Sequence, residues 1–288
     1  MDGLKRGLEK TVHTLVSTST SSASKATGYH CPVCGQLVKP KTVAFLGRSF
    51  TVQPRCRCEV EQFEREMARL TGQNKAKRLF AMEQLGDRFD RCIFETFEPR
   101  PGTEMALKMA RDYCDRFEHW KGTSLMLWGR PGCGKTHLAS AVAKELDNRG
   151  KTVVFQTVSE LLARIRSTFD RDKSNETEQE IMQALLSCDL LVLDDLGAEK
   201  VTDWVQDVLF RIVDGRYRMT KPILVTTNLS PNDLPRTIGE RITDRLLEIT
   251  VPVEIKATSY RMELAKARAQ KILREMREEE ERNAAAAR

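Results

Sequence analysis

Residues 124–136 read Ser124-Leu-Met-Leu-Trp-Gly129-Arg-Pro-Gly-Cys-Gly-Lys-Thr136, and no other segment constrains the architecture as strongly. An apolar strand runs into a glycine-rich loop, and a helix is predicted from Thr136 to about Asn148. The loop matches the pattern G-x-x-x-x-G-K-[S/T], in which backbone N–H groups and a helix N-terminus surround a phosphate chain. Because the strand and the helix lie where that chemistry needs them, a chance match is the weaker interpretation.

The loop residues have expected roles in binding ATP. Lys135 reaches the outer phosphates, and the Thr136 hydroxyl is a ligand for Mg²⁺. The glycines let the backbone turn inward around the phosphates without steric cost. The predicted nucleotide-binding residues are Gly129, Pro131, Gly132, Cys133, Gly134, Lys135, Thr136, His137 and Asp194.

A second apolar segment, Leu190-Leu-Val-Leu-Asp194-Asp195, ends in two carboxylates. In the Walker B arrangement Asp194 holds Mg²⁺ through water, and Asp195 orients or deprotonates the attacking water. The other interpretation is that the pair only caps a helix. Most ATPases with a Walker B acid pair have Glu at the second position. The Asp195 side chain is one methylene shorter than Glu, which favours slow hydrolysis over the fast hydrolysis of a motor.

Strands and helices alternate through the rest of this region in the manner of an α/β domain. Beyond the first strand, we predict strands over 152–157, 190–193, 223–227 and 247–253. Helices are predicted over 159–169 and 202–218. The pattern predicts a parallel sheet of five strands covered by helices.

Further motifs follow in the order of one known family. They are Asp203-Trp204, Arg211-Ile-Val-Asp-Gly-Arg-Tyr217, Lys221-Pro-Ile-Leu-Val-Thr-Thr-Asn228, Gly239-Glu-Arg-Ile-Thr-Asp-Arg245 and Ser259-Tyr-Arg261. With the loop and the acid pair, residues 91–265 resemble the AAA+ helicase loaders of the DnaC and DnaI type, near relatives of the IstB-like ATPases. The resemblance implies that Asn228 is sensor 1, Arg245 the arginine finger and Arg261 the sensor 2 arginine. Together with Asp195, these are the predicted catalytic residues.

The resemblance also implies a function and partners. An arginine finger acts on the nucleotide of a neighbouring subunit, so the working form is expected to be a head-to-tail oligomer that depends on ATP. The implied function is ATP-dependent loading of a hexameric replicative helicase onto single-stranded DNA. Two alternatives stay open: an IstB-type helper ATPase of transposition, and a nucleotide-gated adaptor that scarcely hydrolyses ATP.

Four of the eight cysteines are clustered, as Cys31-Pro-Val-Cys34 and Cys56-Arg-Cys58. Four thiolates at this spacing favour a tetrahedral Zn²⁺ site, with His30 as an alternative ligand. A module of this size has little core and would need such a cross-link. It resembles the zinc-binding N-terminal domain of the DnaI branch, which implies that it docks on the helicase, and it argues against the IstB-type alternative.

The charge is unevenly distributed along the chain, and the composition changes at several predicted domain boundaries. Residues 1–90 contain 15 Lys and Arg and 9 Asp and Glu. Residues 91–288 contain 32 Lys and Arg and 32 Asp and Glu. This excess indicates nucleic acid or an acidic protein face as the partner of the first third, unless it serves only solubility. We predict an N-terminal segment with a Ser/Thr linker over 1–27, a zinc module over 28–60, a helical linker over 61–90, the ATPase domain over 91–265 and a helical tail over 266–288.

Two further expectations concern location and DNA. No apolar run approaches the about 18–20 residues that span a bilayer, and no secretory signal opens the sequence, so a cytoplasmic protein without membrane partners is predicted. In the resembling family, the region after the second strand contacts single-stranded DNA. Here Arg164, Arg166 and Lys173 could contact phosphates and Phe169 could stack on a base. The competing interpretation makes Leu161, Leu162, Ile165 and Phe169 an ordinary core face.

Overall fold

The computed structural model describes residues 28–45, 48–80, 89, 91–120, 122–169 and 176–286. The predictions for residues 1–27 and for Lys173 lie outside these residues. The chain divides into two compact units, Met1–Met67 and Ala68–Arg288.

The first unit is built from two short antiparallel hairpins. Strand β1 (Tyr29–His30) pairs with β2 (Leu37–Val38), and β3 (Lys41–Phe45) pairs with β4 (Arg48–Val52). The second hairpin therefore lies between the two cysteine pairs in the sequence. Helix α1 (Arg57–Leu79) follows, and the Glu59 carboxylate accepts the Cys56 N–H at 2.9 Å, which satisfies one free donor at the start of the helix.

The second unit contains a five-stranded parallel sheet with the order β6-β7-β8-β5-β9. The predicted fold class is thus confirmed. Its strands are β5 (Ser124–Gly129), β6 (Val153–Thr157), β7 (Leu190–Asp194), β8 (Ile223–Thr227) and β9 (Thr250–Ile255). Its helices are α2 (Glu104–Asp115), α3 (Lys135–Asn148), α4 (Val158–Ser167), α5 (Glu178–Ser187), α6 (Asp203–Arg218), α7 (Leu234–Ile238), α8 (Glu240–Ile249) and α9 (Tyr260–Ala286), and a 3₁₀ turn covers Phe94–Thr96.

Both faces of the sheet are buried, which explains the nearly continuous apolar runs of its strands. Along β7, Leu191 and Leu193 belong to one core and Leu190 and Val192 to the other, as a period of two requires. The first core is covered by the end of α1 and by α4–α8, the second by α2, α3 and the turn at Phe94. The carboxyl ends of β5, β7 and β8 consequently meet at one edge, where the loop after β5 and the acid pair after β7 lie.

Several predicted boundaries were wrong. The last strand begins at Thr250, because Leu247–Ile249 are the final turn of α8 and the Thr250 hydroxyl donates to the Leu246 carbonyl at 2.6 Å. Helix α4 ends at Ser167, so Phe169 lies beyond it.

Candidate nucleotide site and cysteine centre

The glycine-rich loop has the backbone conformation that its sequence predicts. Gly134 precedes helix α3 with φ of 111°, in the left-handed region that glycine adopts without strain. Gly132 has φ of 82°, and a Cβ there would lie 2.2 Å from the Ser259 Oγ. The loop is thus open to phosphates on one side and packed against the Ser259 segment on the other.

Lys135 is 5% exposed, and its ammonium group points into the loop. Its Nζ donates to the carbonyl oxygens of Gly129 at 2.8 Å and Arg130 at 3.1 Å, and to the Asn228 Oδ1 at 2.7 Å. Burial lowers the pKa of Lys135 from its ordinary value, although the nearby Cys133 and Asp195 oppose this shift. A bound triphosphate would restore the charge partner that this ammonium lacks.

Asp194 lies beside the loop threonine. The Thr136 hydroxyl contacts both carboxylate oxygens, at 3.0 and 3.1 Å, and the Thr226 Oγ1 donates to Oδ1 at 2.6 Å. Burial raises the pKa of Asp194, while the two threonine hydroxyls oppose the shift. A hydroxyl and a carboxylate oxygen are the protein ligands that Mg²⁺ takes beside a nucleotide, so these two side chains could hold it.

Asp195 is exposed, and its backbone has φ of 58°, an uncommon conformation for a residue other than glycine. The Thr226 Oγ1 accepts its N–H at 2.9 Å, and the Asn228 Nδ2 lies 3.5 Å from its Oδ1. Strained backbone of this kind concentrates at functional sites. Asn228 therefore lies between the carboxylate that would act on water and the lysine that would hold the phosphate.

The loop opens into a cavity of about 460 Å³. This volume lies within the range of about 300–1,000 Å³ that is usual for small-molecule sites. Its lining brings together the predicted residues Pro131, Gly132, Gly134, Lys135, Thr136, His137, Asp194, Asp195, Asn228 and Arg261. Of the other loop residues, Cys133 is fully buried with Sγ 3.8 Å from the Lys135 Nζ, and Gly129 contributes its carbonyl.

His137 links helix α3 to the segment before the domain's first long helix. Its Nε2 lies 2.9 Å from the Ile93 carbonyl and 3.4 Å from the Thr96 hydroxyl, and its ring packs edge-on against Phe97 at 5.1 Å. This arrangement holds Thr96 and Phe97, which line the cavity, against helix α3. His137 therefore shapes the site through its neighbours.

The sequence did not reveal Arg100, which joins the cavity to the start of α9. Its guanidinium donates to the Thr258 carbonyl at 3.0 Å and to the Glu263 carboxylate at 3.2 Å, and lies 5.0 Å from the centre of the Tyr260 ring. The Tyr260 N–H donates to the Gly132 carbonyl at 3.0 Å. These contacts position the segment that carries Arg261, but they join residues far apart in sequence and have no local signature.

Arg245 is absent from the described residues that line this cavity. It lies on α8, where its Nε donates to the Asp214 carboxylate at 2.7 Å and its guanidinium lies 4.8 Å from the centre of the Phe210 ring. Its side chain is 27% exposed. The structure thus separates this arginine from the nucleotide site of its own chain.

The predicted DNA-contacting residues fall into two groups. Arg164 forms a 2.6 Å ion pair with Glu176 and lies 4.4 Å from the centre of the Phe80 ring, so its charge is already compensated. Arg166 lies over the Trp204 ring at 4.7 Å, and Phe169, which is 60% exposed, packs edge-on against the same ring. Leu161, Leu162 and Ile165 are buried, so the core interpretation holds for these three residues and not for Phe169.

The four clustered cysteines converge in the first unit. Their sulfur atoms all lie within 4.8 Å of one another, with separations of 3.3 Å for Cys31–Cys58 and 3.7 Å for Cys34–Cys56. Four sulfurs at about 2.3 Å from one Zn²⁺ are about 3.8 Å apart, so these residues fit the ion. The His30 Nδ1 lies 3.1 Å from the Gly35 carbonyl oxygen, which gives that nitrogen another partner.

The electrostatics of this cluster also favour a cation. Burial opposes ionisation of Cys31, but the N–H groups of Cys34 and Val33 outweigh it, and the pKa falls to about 7. Hydrogen bonds to Cys31 and Cys56 instead raise the pKa of Cys58. Since adjacent thiols cannot all ionise without a compensating charge, a divalent ion among them would stabilise all four thiolates.

Cys56→Ser is expected to remove zinc and to unfold the first unit, because that unit has little other core. Elemental analysis should find one zinc per wild-type chain and almost none in the variant, while limited proteolysis should cut the variant before α2. ATP binding by the second unit should persist, and Cys92→Ser should keep its zinc as the matched control. Metal-free wild-type protein with an intact first unit would contradict the site.

Comparisons with known proteins agree with this geometry. A family model described as IstB-like ATP binding protein matches residues 61–269. The chain belongs to that family. It is 31% identical over 173 residues to the replicative helicase loader DnaC of Escherichia coli strain K12, an alignment that covers 60% of this chain and 69% of that protein. The resemblance to this class of AAA+ loader is therefore confirmed.

Two solved structures of loaders of this type have a similar fold. The crystal structure of the DnaC helicase loader superposes with a TM-score of 0.54 and 28% identity, over 59% of this chain and 100% of that one. The crystal structure of DnaI gives a TM-score of 0.53 and 26% identity, over 60% of this chain and 95% of that one. The family match begins at residue 61, after the four cysteines, so the cysteine cluster is additional to the family domain.

Within the described residues, every helix is too short or too polar to span a bilayer.

Proposed function

We propose that this family member is an ATP-dependent loader of a DnaB-type replicative helicase onto single-stranded DNA. The observation that carries the proposal is the alignment with DnaC, which spans 69% of that loader. The nucleotide cavity supports it, because Lys135, Thr136 and Asp194 are arranged to bind ATP with Mg²⁺. The cysteine centre supports it further, since it resembles the helicase-docking domain of the DnaI branch.

ATP serves as a switch in this proposal. Asp195 acts as the base through a carboxylate one methylene shorter than the usual glutamate, and this favours slow turnover. Asn228, which lies within 3.5 Å of Asp195 and 2.7 Å of Lys135, is placed to respond to the γ-phosphate as sensor 1. Arg261 completes the site from α9, and Arg245 acts on the nucleotide of the next subunit in a head-to-tail oligomer.

The second candidate is a helper ATPase that acts on a transposase. The description of the matching family model favours it, because that family is named for IstB. The cysteine centre argues for the loader, since IstB-type proteins typically begin with a helical segment poor in cysteine. The two candidates share the ATP chemistry and differ in the partner.

Two measurements separate the candidates. The full-length chain, held with ATP and Mg²⁺, should retain a DnaB-type helicase on an affinity resin and should not retain an IS21-type transposase. ATP turnover should be slow alone and should rise with single-stranded DNA or the helicase. Capture of the transposase alone would favour the second candidate, and turnover that neither DNA nor the helicase raises would favour a simple nucleotide-gated adaptor.

A further inference from the structure

The first unit has an unusual distribution of charge. Residues 28–58 contain five Lys and Arg and no Asp or Glu. A zinc ion held by four thiolates carries a net charge of about −2 and still leaves this module positive. Of these five cations, Arg57 is paired with Glu61 at 2.8 Å, whereas Lys41 and Arg48 form no ion pair within the described residues.

The hairpin of β3 and β4 exposes apolar side chains within this segment. The strand register pairs Val43 with Phe50 and Lys41 with Val52, so these four side chains share one face of the hairpin. Arg48 lies two residues before Phe50 and belongs to the same face. We call this set, Lys41, Val43, Arg48, Phe50 and Val52, the hairpin face.

The hairpin face lies in solvent. Val43 is 47% exposed, Phe50 is 50% exposed and Val52 is 44% exposed. The other face carries Thr42, Ala44, Ser49 and Thr51, which are also exposed, so the described part of the chain covers neither face. An apolar strip with an aromatic ring and cationic ends is the kind of exposed patch that marks a binding surface.

The order of side chains along the strip suits a nucleic-acid strand. Lys41 and Arg48 lie at opposite ends of the hairpin, four residue steps apart, which is about 13 Å at about 3.3 Å per residue. Phe50 lies between them. A cation at each end and a ring in the middle reproduce the pairing of phosphate contacts with base stacking that single-strand binders use.

We propose that the hairpin face binds single-stranded DNA, with Phe50 stacked on one base and Lys41 and Arg48 in contact with phosphates on either side of it. This surface shares no residue with the nucleotide cavity or with the Phe169 region. The inference rests on the proposed function only for the presence of a DNA strand. An acidic protein surface is the competing occupant, and DNA fits better because a central ring flanked by cations matches a stacked base between phosphates.

The test uses full-length, zinc-containing protein and a fluorescein-labelled oligothymidylate of about 20 nucleotides, which is long enough for such a surface. Fluorescence anisotropy is measured without nucleotide and with ATP, over a series of salt concentrations. Phe50→Ala is expected to weaken binding at least about fivefold, the lower end of the effect of one stacked base. The double variant Lys41→Gln with Arg48→Gln should reduce the slope of log K against log salt by about 1.4, since each lost phosphate contact contributes about 0.7.

Two controls isolate the face from general effects. Thr51→Ala changes the other face of the same hairpin, and Lys266→Gln with Arg268→Gln removes two exposed charges from α9. Both should bind the oligonucleotide like the wild type. All variants should keep one zinc per chain and the wild-type basal ATPase rate, because none of these residues lies in the nucleotide site.

The outcomes distinguish the proposals. If the Phe50 and Lys41/Arg48 variants bind DNA like the wild type, the hairpin face is not a DNA site, and the loader proposal still stands. If they bind DNA normally but no longer retain the helicase, the competing protein occupant is correct and our inference is wrong. If the wild type binds no single-stranded DNA with or without ATP, both this inference and the proposed function fail.

Discussion

Lys135→Ala is expected to lower the rate of ATP hydrolysis at least about a hundredfold, the effect of removing one preorganised donor from a site where charge develops. The lysine ammonium contacts two loop carbonyls and Asn228, which places it inside the phosphate loop. Without it, the loop itself would offer the phosphates backbone N–H groups and the helix N-terminus, and Arg261 would remain as a cation of the cavity lining. Binding of a fluorescent ATP analogue should weaken in parallel.

The structure predicts that this variant folds. The Gly129 and Arg130 carbonyls lose a donor, and water that enters from the cavity lined by residue 135 can replace it. Lys108→Ala is the matched control, because Lys108 is an exposed lysine on α2. Its turnover and its thermal midpoint should equal those of the wild type. A folded Lys135→Ala protein that binds and hydrolyses ATP normally would contradict the assignment of the loop.

Arg245→Ala is expected to reduce ATP turnover by at least about tenfold and to weaken assembly, while leaving ATP binding intact. Arginine fingers raise kcat about a thousandfold or more in efficient enzymes. We expect a smaller effect here, because the proposed turnover is slow. Lys135, Thr136 and Asp194 of the same chain remain available to the nucleotide. The fold should tolerate the change, because Asp214 keeps its 2.8 Å ion pair with Arg218.

Mixing two inactive variants tests whether Arg245 acts in trans. A complete site can form where a normal Arg245 meets a normal loop, so Arg245→Ala mixed with Lys135→Ala should recover part of the turnover. Arg241→Ala is the control, since Arg241 lies four residues earlier on α8 and packs over the same Phe210 ring at 4.6 Å. A mixture that associates but stays inactive would contradict the trans role. Loss of activity in Arg241→Ala alone would move the role to that residue.

The phosphate loop, the acid pair and the sheet could be predicted because each is encoded in a continuous segment. A strand that is buried on both faces has an apolar run, and its polar end marks the edge of the sheet where the site forms. Asn228 could be located for the same reason, because it directly follows β8. Local sequence therefore predicted the approximate position of these residues.

Helix α5 could have been predicted from Thr177 and Glu180. The Thr177 hydroxyl accepts the Glu180 N–H at 3.2 Å, and the Glu180 carboxylate accepts the Thr177 N–H at 3.2 Å, which is a complete capping box. The predicted elements lack this helix, although the signal T-x-x-E before an apolar run is present in the sequence.

Other features could not be read from local sequence. Residues 61–90 were predicted as a helical linker, yet Ala76, Leu79 and Phe80 are buried in the first core of the second unit. The helix that carries the first two is polar along most of its length, so only tertiary packing reveals its buried positions. A Cβ on Gly72 would lie 2.0 Å from the Ser187 Oγ, which shows how closely α1 approaches α5.

The position of Arg100 illustrates the same limit. It contacts Thr258 and Glu263, more than 150 residues later in the chain. Phe169 shows the opposite error, because its helical spacing matched the buried face although α4 ends two residues before it. Periodicity identifies a face, but it does not show where the helix ends.

The central claim is tested most directly by loading itself. A purified DnaB-type hexamer is supplied with a circular single-stranded DNA to which a labelled oligonucleotide is annealed, so that strand release requires the helicase to be placed on a closed strand. With this protein and ATP, release should be fast. With Lys135→Ala, or without the protein, release should stay near background. Equal release with and without the protein, under conditions where the helicase is active on a forked end, would contradict the account.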